Sequence, residues 1–282
     1  HVLNGKSFQQ IPLDGLPNLY ASGQGGLLDI AVHPADKTNP RIYMTMSSGT
    51  DDENRTVLVQ GVFDGKRVTG IKQLFAVNLA KSGGQHFGSR LLFLPDNTLL
   101  MSIGDGGNTP QRIGTMLARD HAQSLASHTG KILHLTDAGQ PVGKGAFAGK
   151  DNARPEIYSV GHRNVQGLAR DPKSGRVYAN EHGSRGGDEI NVIEAGKNYG
   201  WPLQSYTLDY GTREPIGMKV VPGTVQPIVV CTPSPAPSGL AFYTGKAFPQ
   251  WQGSLFSGSL AGQDVRRVQL DAQGKVTAQE LL

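Results

Sequence analysis

Residues 27–46, LLDIAVHPADKTNPRIYMTM, contain the clearest strand signal of the sequence. Apolar residues dominate 27–32 and 41–46, and the segment between them is rich in Pro, Asp and Asn, which favour turns. Two short apolar runs separated by such a segment are typical of neighbouring β-strands. The stretch therefore predicts a strand, a turn and a second strand.

The same layout recurs further along the chain, at residues 89–103, 166–179 and 238–257. A third strand is predicted at 131–135 and at 265–270, each followed by a turn with Asp and Gly. One such module has too little core to fold alone, but radial repetition buries its faces and protects its edges. We therefore predict an all-β protein with a β-propeller architecture, and a β-sandwich is the alternative.

Helical periodicity is weak throughout the sequence. The best helix candidate, residues 116–127, is short and lacks a firm apolar stripe. Residues 2–11 resemble the last strand of a blade, and the chain ends just after another such strand. We expect residues 1–282 to form a single propeller domain, truncated at both ends and covering about five blades' worth of a larger ring.

The composition limits the classes of partner. The 38 glycines and 17 prolines fit many tight turns, because no low-complexity run accounts for them. The net charge is +4, but Lys and Arg are scattered, so no nucleic-acid partner is expected. No apolar run is long enough to predict a transmembrane segment. Cys231 is the only cysteine, so no internal disulfide can form.

Four segments in order resemble the soluble aldose sugar dehydrogenase family, which is similar to soluble quinoprotein glucose dehydrogenase. They are GQGGLLD at 23–29, HFGSR at 86–90 with IGD at 103–105, GHRNVQG at 161–167, and EHG at 181–183 with GDEIN at 187–191 and NYGWP at 198–202. The resemblance implies a six-bladed propeller in the periplasm or secreted. It also implies pyrroloquinoline quinone (PQQ) and Ca²⁺ as cofactors, an aldose oxidised at its anomeric carbon to a lactone, and a quinone, cytochrome or dye as electron acceptor.

His86 matches the family's catalytic base. Oxidation of a hemiacetal requires a group that removes the hydroxyl proton, and neutral imidazole suits this at neutral pH. The alternative is a loop histidine whose ring is satisfied by the backbone. Gln85 stands where the family often has an acidic residue, so a carboxylate that orients the imidazole must come from elsewhere. Gln24 matches a residue near substrate and cofactor, or is a simple turn residue.

Arg163 and Asn164 match residues that contact the quinone. A guanidinium can hydrogen-bond carbonyl and carboxylate oxygens and stabilise charge on the reduced cofactor. The alternative is a structural Arg163 paired with Asp188 or Glu181. By the same resemblance His182 lies beside the cofactor, and Asp188 orients Arg163 or binds substrate, with a salt bridge as the alternative. His162 is interpreted as structural.

Two metal sites follow from the resemblance. Gly183 and Ser184 match positions whose backbone carbonyls hold the Ca²⁺ next to the quinone, although the family usually has Pro in place of Ser184. Glu189 and the backbone oxygen of Tyr199 match a second, structural Ca²⁺ site. Calcium prefers oxygen ligands, and glycine lets a carbonyl approach closely. Asp105, in a Gly-rich segment, is interpreted as a turn residue rather than a calcium ligand.

Two other functions remain open at the level of sequence. A calcium-dependent propeller lactonase would need several carboxylates and an Asn around one central metal. A non-catalytic sugar- or protein-binding propeller would need only the scaffold. The family also has a cofactor-contacting Lys at a position that falls near Ala261 in this chain.

Overall fold

The computed structural model describes residues 2–4 and 7–282, and its regular structure is almost entirely β. Within this part of the chain the strands form four antiparallel sheets of four strands each and two antiparallel hairpins. The predicted all-β class is confirmed. No helix of the described residues is long and apolar enough to cross a membrane.

The first sheet follows a short hairpin. The hairpin consists of β1 (Val2–Asn4) and β2 (Ser7–Gln9), and the first sheet of β3 (Leu27–Val32), β4 (Arg41–Gly49), β5 (Asn54–Phe63) and β6 (Val68–Ala76). The second sheet contains an insertion between its second and third strands. It comprises β7 (Gly88–Phe93), β8 (Leu99–Ile103), β11 (Lys131–Leu135) and β12 (Ile157–Val160), and the insertion comprises β9 (Arg112–Ile113), β10 (Met116–Leu117) and the 3-10 helix Ala118–Gln123.

The third and fourth sheets complete the described fold. The third comprises β13 (Val165–Arg170), β14 (Val177–Glu181), β15 (Asp188–Ile193) and β16 (Val229–Cys231). The fourth comprises β17 (Pro237–Phe242), β18 (Ser254–Ser259), β19 (Val265–Leu270) and β20 (Val276–Leu281), with the 3-10 helix Pro249–Trp251 before β18. The strand pairs predicted from the four repeats are the first two strands of these four sheets, so the repeat interpretation is confirmed.

The sheets stand side by side, and their first strands contact one another in chain order: β3 against β7, β7 against β13, and β13 against β17. Apolar clusters fill the spaces between successive sheets. Tyr43 and Leu58 of the first sheet share one cluster with Leu99 and Leu133 of the second. Burial of these apolar sheet faces against neighbouring sheets stabilises the fold, and a single sheet could not bury them by itself.

A shift in strand register recurs where each first strand begins. It lies between Leu27 and Asp29, between Gly88 and Leu91, between Val165 and Gly167, and between Pro237 and Leu240. A bulge disrupts the ladder locally and redirects the side chains beside it. The segments at 23–29, 86–90 and 161–167 lie at or immediately before three of these bulges, so these bulges shape the end of the sheets that carries the candidate site.

Three expectations need correction or remain unconfirmed. The helix candidate 116–127 contains only the 3-10 helix Ala118–Gln123, preceded by β10. Residues 2–11 do not form a single terminal strand: Val2–Asn4 pairs with Ser7–Gln9, and residues 1, 5 and 6 lie outside the described part. The expected five blades' worth of chain is not confirmed, because the described residues contain four complete four-stranded sheets.

Candidate active site

Loops from the second and third sheets meet at the bulged end of the first strands. The Asp105 amide donates to the Arg163 carbonyl at 2.8 Å. The Gly88 amide donates to Asn164 Oδ1 at 3.1 Å, and Arg163 Nη1 donates to the His182 carbonyl at 3.1 Å. Segments that are far apart in the sequence therefore form one connected hydrogen-bond network.

His86 is buried in this network and held by a carboxylate. Its Nδ1 lies 2.6 Å from Asp105 Oδ1, and its side chain is 4% exposed. With the Nδ1 proton directed at Asp105, Nε2 is the nitrogen left to accept a proton. His86 has a left-handed backbone with φ of +48°, an uncommon conformation for a non-glycine residue. Because Nδ1 contacts the Asp105 side chain, the alternative of a ring satisfied by the backbone does not describe His86.

The charge environment favours the neutral imidazole. Burial lowers the pKa of His86 most, and the Arg163 and Lys81 cations lower it further. The Asp105 carboxylate opposes them by its charge and its hydrogen bond. A neutral ring near physiological pH is the form that can accept a proton.

Asp105 is the residue of the candidate site whose contact with His86 the sequence interpretation missed. It is completely buried, and besides His86 it accepts hydrogen bonds from Trp201 Nε1 at 2.8 Å and from the Gly107 amide at 3.2 Å. Its interpretation as a turn residue is therefore incomplete. A signal was present: β7 and β8 are antiparallel neighbours, so the residue after β8 lies at the same end as the residue before β7.

Gln24 fixes the His86 loop. The side-chain Oε1 of Gln24 accepts a hydrogen bond from the His86 backbone amide at 2.8 Å, and the Gln24 backbone amide donates to the Gly84 carbonyl at 2.7 Å. The two loops approach so closely that a Cβ on Gly23 would lie 2.5 Å from the Gly84 carbonyl oxygen. Gln24 is thus more than a simple turn residue, and it adjoins the candidate base.

Arg163 is a buried cation whose guanidinium forms no ion pair with a carboxylate of residues 2–4 or 7–282. Its backbone amide donates to Glu181 Oε2 at 2.7 Å, but its guanidinium donates to the His182 carbonyl and to Asn108 Oδ1 at 2.6 Å. Among the described residues neither Asp188 nor Glu181 forms an ion pair with the guanidinium. Burial lowers the pKa of Arg163. An anion bound next to the guanidinium would compensate for the lost hydration of its charge.

The neighbours of Arg163 have separate roles. Asn164 uses Oδ1 to accept the Gly88 amide, which ties the third sheet to the His86 loop. His182 Nε2 lies 2.7 Å from the Pro237 carbonyl, and burial lowers the pKa of its ring. His162 contacts Ser159 and Glu181 through its two ring nitrogens and stacks on Tyr199 at 4.7 Å between centroids. The contacts of His162 fit its interpretation as a structural residue, and those of Asn164 and His182 fix these two side chains beside Arg163.

The Gly183 loop contains two adjacent backbone carbonyls, those of Gly183 and Ser184, that accept no hydrogen bond within the described part of the chain. The Gly183 amide donates to Asp188 Oδ1 and the Ser184 amide to Thr207 Oγ1, both at 2.7 Å. No described residue donates a hydrogen bond to either carbonyl oxygen of this pair. A Cβ on Gly183 would lie 2.2 Å from the Gly186 carbonyl oxygen, so the turn requires glycine. Two adjacent free carbonyls fit a calcium ion.

Asp188 serves this loop rather than Arg163. Besides the Gly183 amide it accepts hydrogen bonds from the Ser234 hydroxyl and from the Ala236 amide at 2.9 Å. Neither expected contact, with Arg163 or within a salt bridge, occurs among the described residues. Asp188 instead joins the Gly183 loop to the segment before β17.

A cavity of about 20 Å³ lies behind the Gly183 loop, and Glu181, Glu189, Tyr199 and Gln204 are among its lining residues. Burial, and then the Glu181 carboxylate, raise the pKa of Glu189 to about 8. Asn191 donates to both carboxylates, but its own buried Oδ1 has no hydrogen-bond partner. Two neighbouring carboxylates that line a cavity of ionic size fit a calcium ion.

Side-chain clusters typical of transition-metal sites do not occur in the part of the chain that the structure describes: no three His, Cys, Asp or Glu side chains converge there. The two carbonyl-rich arrangements above would bind a hard cation chiefly through backbone oxygens and one or two carboxylates. That donor set suits calcium better than zinc.

Adjacent four-stranded antiparallel sheets, packed side by side with loops that meet at one end of their first strands, are typical of a β-propeller. The family model described as Glucose / Sorbosone dehydrogenase matches residues 1–282. The chain belongs to the glucose/sorbosone dehydrogenase family, in agreement with the resemblance seen in its sequence.

Individual relatives support the same conclusion. The aldose sugar dehydrogenase YliI of Escherichia coli is 40% identical over 90% of this chain and 67% of its own length. The apo-form structure of the soluble aldose sugar dehydrogenase of E. coli matches with a TM-score of 0.88 and 38% identity over 98% of this chain and 78% of that one. The PQQ-bound form of an aldose sugar dehydrogenase from Streptomyces coelicolor matches with a TM-score of 0.76 and 29% identity, over 99% and 73%. The chain spans 63–67% of the length of the curated relatives it matches first.

Proposed function

We propose that this chain carries the catalytic centre of a PQQ- and calcium-dependent aldose dehydrogenase that oxidises the anomeric carbon to a lactone. The observation that carries the proposal is the His86–Asp105 pair, which leaves Nε2 as a proton acceptor in a buried, cation-flanked position. Similarity to an aldose sugar dehydrogenase with bound PQQ supports the choice of cofactor. Bound PQQ would supply a two-electron acceptor for the hydride that leaves the sugar.

In this proposal His86 Nε2 takes the proton of the anomeric hydroxyl, and Asp105 stabilises the imidazolium that results. Removal of this proton by the protein would accompany the departure of the hydride from the anomeric carbon. Arg163 would hydrogen-bond an anionic oxygen, since its guanidinium forms no ion pair with a carboxylate of the described residues. Gln24, Asn164 and His182 hold the surrounding loops at fixed distances.

Calcium would bind in two places. The Gly183 and Ser184 carbonyls would hold the ion that polarises the cofactor, and Asp188 would position them by fixing the Gly183 amide. Glu189, with Tyr199 and the neighbouring Glu181, would hold a second ion with a structural role. A cation between Glu181 and Glu189 would relieve the repulsion that raises the pKa of Glu189.

The proposal is tested by reconstituting the purified protein with PQQ and CaCl₂ and adding aldoses with a redox dye. Dye reduction is expected, together with a reduced-quinone absorbance band, and His86→Gln should lower kcat by about 100-fold or more. His134→Gln is the matched control, because His134 lies on β11 and contacts Thr98 rather than the network. Absence of sugar-dependent dye reduction with every aldose would refute the proposal.

The same experiment separates the other functions. Lactone hydrolysis without added PQQ would identify a lactonase, and sugar binding that survives His86→Gln without any turnover would identify a binding protein. The proposed cellular location is the periplasm or the exterior, with a soluble or membrane-bound electron acceptor. Cell fractionation of the native organism tests that location.

A further inference from the structure

Lys81 is a buried cation that the proposed chemistry has not yet used. Its side chain is 8% exposed, and its backbone forms a two-bond bridge with Asn54, with N···O distances of 2.9 and 2.8 Å. Its Nζ donates to the Gly83 carbonyl at 2.7 Å and lies 3.9 Å from the centroid of the Phe87 ring. A buried ammonium is costly, so contacts of this kind usually serve a purpose.

The contacts of Lys81 close the loop that carries the candidate base. Gly83 precedes His86 by three residues and Phe87 follows it directly, so the ammonium holds both sides of the loop. Asn54 Nδ2 strengthens the attachment by donating to the same Gly83 carbonyl at 3.2 Å. This anchoring helps to keep His86 in its left-handed conformation.

The Lys81 stem also reaches the turn that carries Asp105. A Cβ placed on Gly106 would lie 3.3 Å from Lys81 Cδ, so the lysine packs against the residue next to Asp105. Lys81 is thus in contact with both loops that form the His86–Asp105 pair. Glycine at position 106, with φ of +93°, leaves room for the lysine stem.

The ionisable groups that act on His86 and Lys81 can be named individually. His86 is influenced by the Asp105 carboxylate, the Arg163 and Lys81 cations and the His182 ring. Lys81 is influenced by Asp105 and Asp51, both of which favour its charged form, while burial lowers the pKa of Lys81 to about 8. At neutral pH Lys81 is therefore mostly charged and disfavours a second positive charge on His86.

We propose that Lys81 is a positioning residue that clamps the His86 loop and keeps the His86 imidazole in its neutral, proton-accepting form. The proposal that this tuning serves catalysis rests on the proposed function of His86. The electrostatic effect itself does not require sugar or cofactor, so it can be measured on the protein alone.

The test is an NMR titration of protein in which the eight histidines carry a ¹³C label at Cε1, with His86→Gln used to assign the resonance. Lys81→Met should raise the pKa of His86, and Lys81→Arg should leave it near the wild-type value. Lys72→Met is the matched control, since Lys72 is exposed on β6 of the first sheet, and no shift is expected there. An unchanged His86 titration in folded Lys81→Met would overturn the proposal.

A wild-type measurement covers the case in which Lys81→Met does not fold. Labelled Lys81 should titrate near pH 8, and the His86 resonance should respond in the same pH range. A Lys81 that titrates like an exposed lysine would overturn the proposal. In the reconstituted enzyme Lys81→Met should move the acid limb of the kcat/KM profile to higher pH. If Lys81→Met raises the pKa of His86 but the reconstituted wild-type protein oxidises no sugar, the proposed function is refuted and the role of Lys81 stands.

Discussion

Asp105 and His86 come from loops on adjacent antiparallel strands, and their side chains meet at 2.6 Å in a fully buried position. The second carboxylate oxygen of Asp105 binds Trp201, so the carboxylate cannot rotate freely. The pair fixes which nitrogen of His86 faces the candidate substrate side.

Asp105→Asn should lower kcat of the reconstituted enzyme by about 100-fold or more, with KM changed only a few-fold. A neutral amide no longer stabilises the imidazolium and permits the wrong tautomer. Steady-state kinetics with an aldose and a dye measure the effect, and circular dichroism verifies the fold. Asp96→Asn, in the exposed turn before β8, is the control and should behave as wild type. A loss of less than threefold in Asp105→Asn would contradict this role.

Gly183→Ala should destabilise the protein by about 2 kcal/mol or more and weaken calcium binding, because the added methyl meets two backbone carbonyls. Denaturant unfolding and calorimetric titration with CaCl₂ measure the two effects. Gly239→Ala is the matched control, since a Cβ there has no neighbour within 4 Å. Equal stability of the two variants would show that the Gly183 turn can relax.

Ser184→Pro should cost about 1 kcal/mol of stability, although proline is the usual residue of the family at this position. In this chain the Ser184 amide donates to Thr207 Oγ1, and proline has no amide hydrogen. Thr207→Val removes the acceptor of the same bond, so the double variant should lose much less than the sum of the single losses. Strict additivity in denaturant unfolding would contradict the coupling.

Acid should destabilise the fold partly through His128. Burial lowers the pKa of this ring to about 4 from a usual 6.5, and the nearby Glu156 opposes the shift. The folded state therefore binds a proton less readily than the unfolded state. This contribution to the free energy of unfolding is complete above about pH 6.5 and is lost as the pH falls towards 4. The loss is on the order of 1–3 kcal/mol.

His128→Gln should remove that part of the pH dependence. Between pH 6.5 and 4 the variant should lose less free energy of unfolding than wild type, whatever its stability at neutral pH. His134→Gln, a half-buried ring, should change the slope less. Parallel curves for wild type and His128→Gln in denaturant unfolding would rule out a role for His128.

Local pattern was sufficient for the strands. The alternation of apolar runs and turn residues at 27–46 and its repeats predicted β3, β4, β7, β8, β13, β14, β17 and β18, because a strand pair joined by a short turn depends on neighbouring residues. The helix predicted at 116–127 was wrong. Its weak periodicity could not compete with its surroundings, and only the 3-10 helix Ala118–Gln123 formed.

Motif matches located the candidate site but not its internal contacts. His86, Arg163 and the Gly183 loop were identified, yet the contacts of Asp188 were expected at Arg163 and occur at Gly183, Ser234 and Ala236. The role of Asp105 was missed. A carboxylate in a glycine-rich turn has the same local appearance whether it serves the turn or a residue on the next strand.

The strand modules, their repetition, the family and the glycines of the turns could all be inferred from the sequence, since each depends on residues close together in the chain or on a direct motif match. Three-dimensional packing was needed to show that Asp105 partners His86, that no described carboxylate pairs with the Arg163 guanidinium, and that Lys81 contacts the His86 loop. Those facts depend on how the sheets stack and where their bulges fall, and distances between loops of different sheets are set by packing rather than by local sequence.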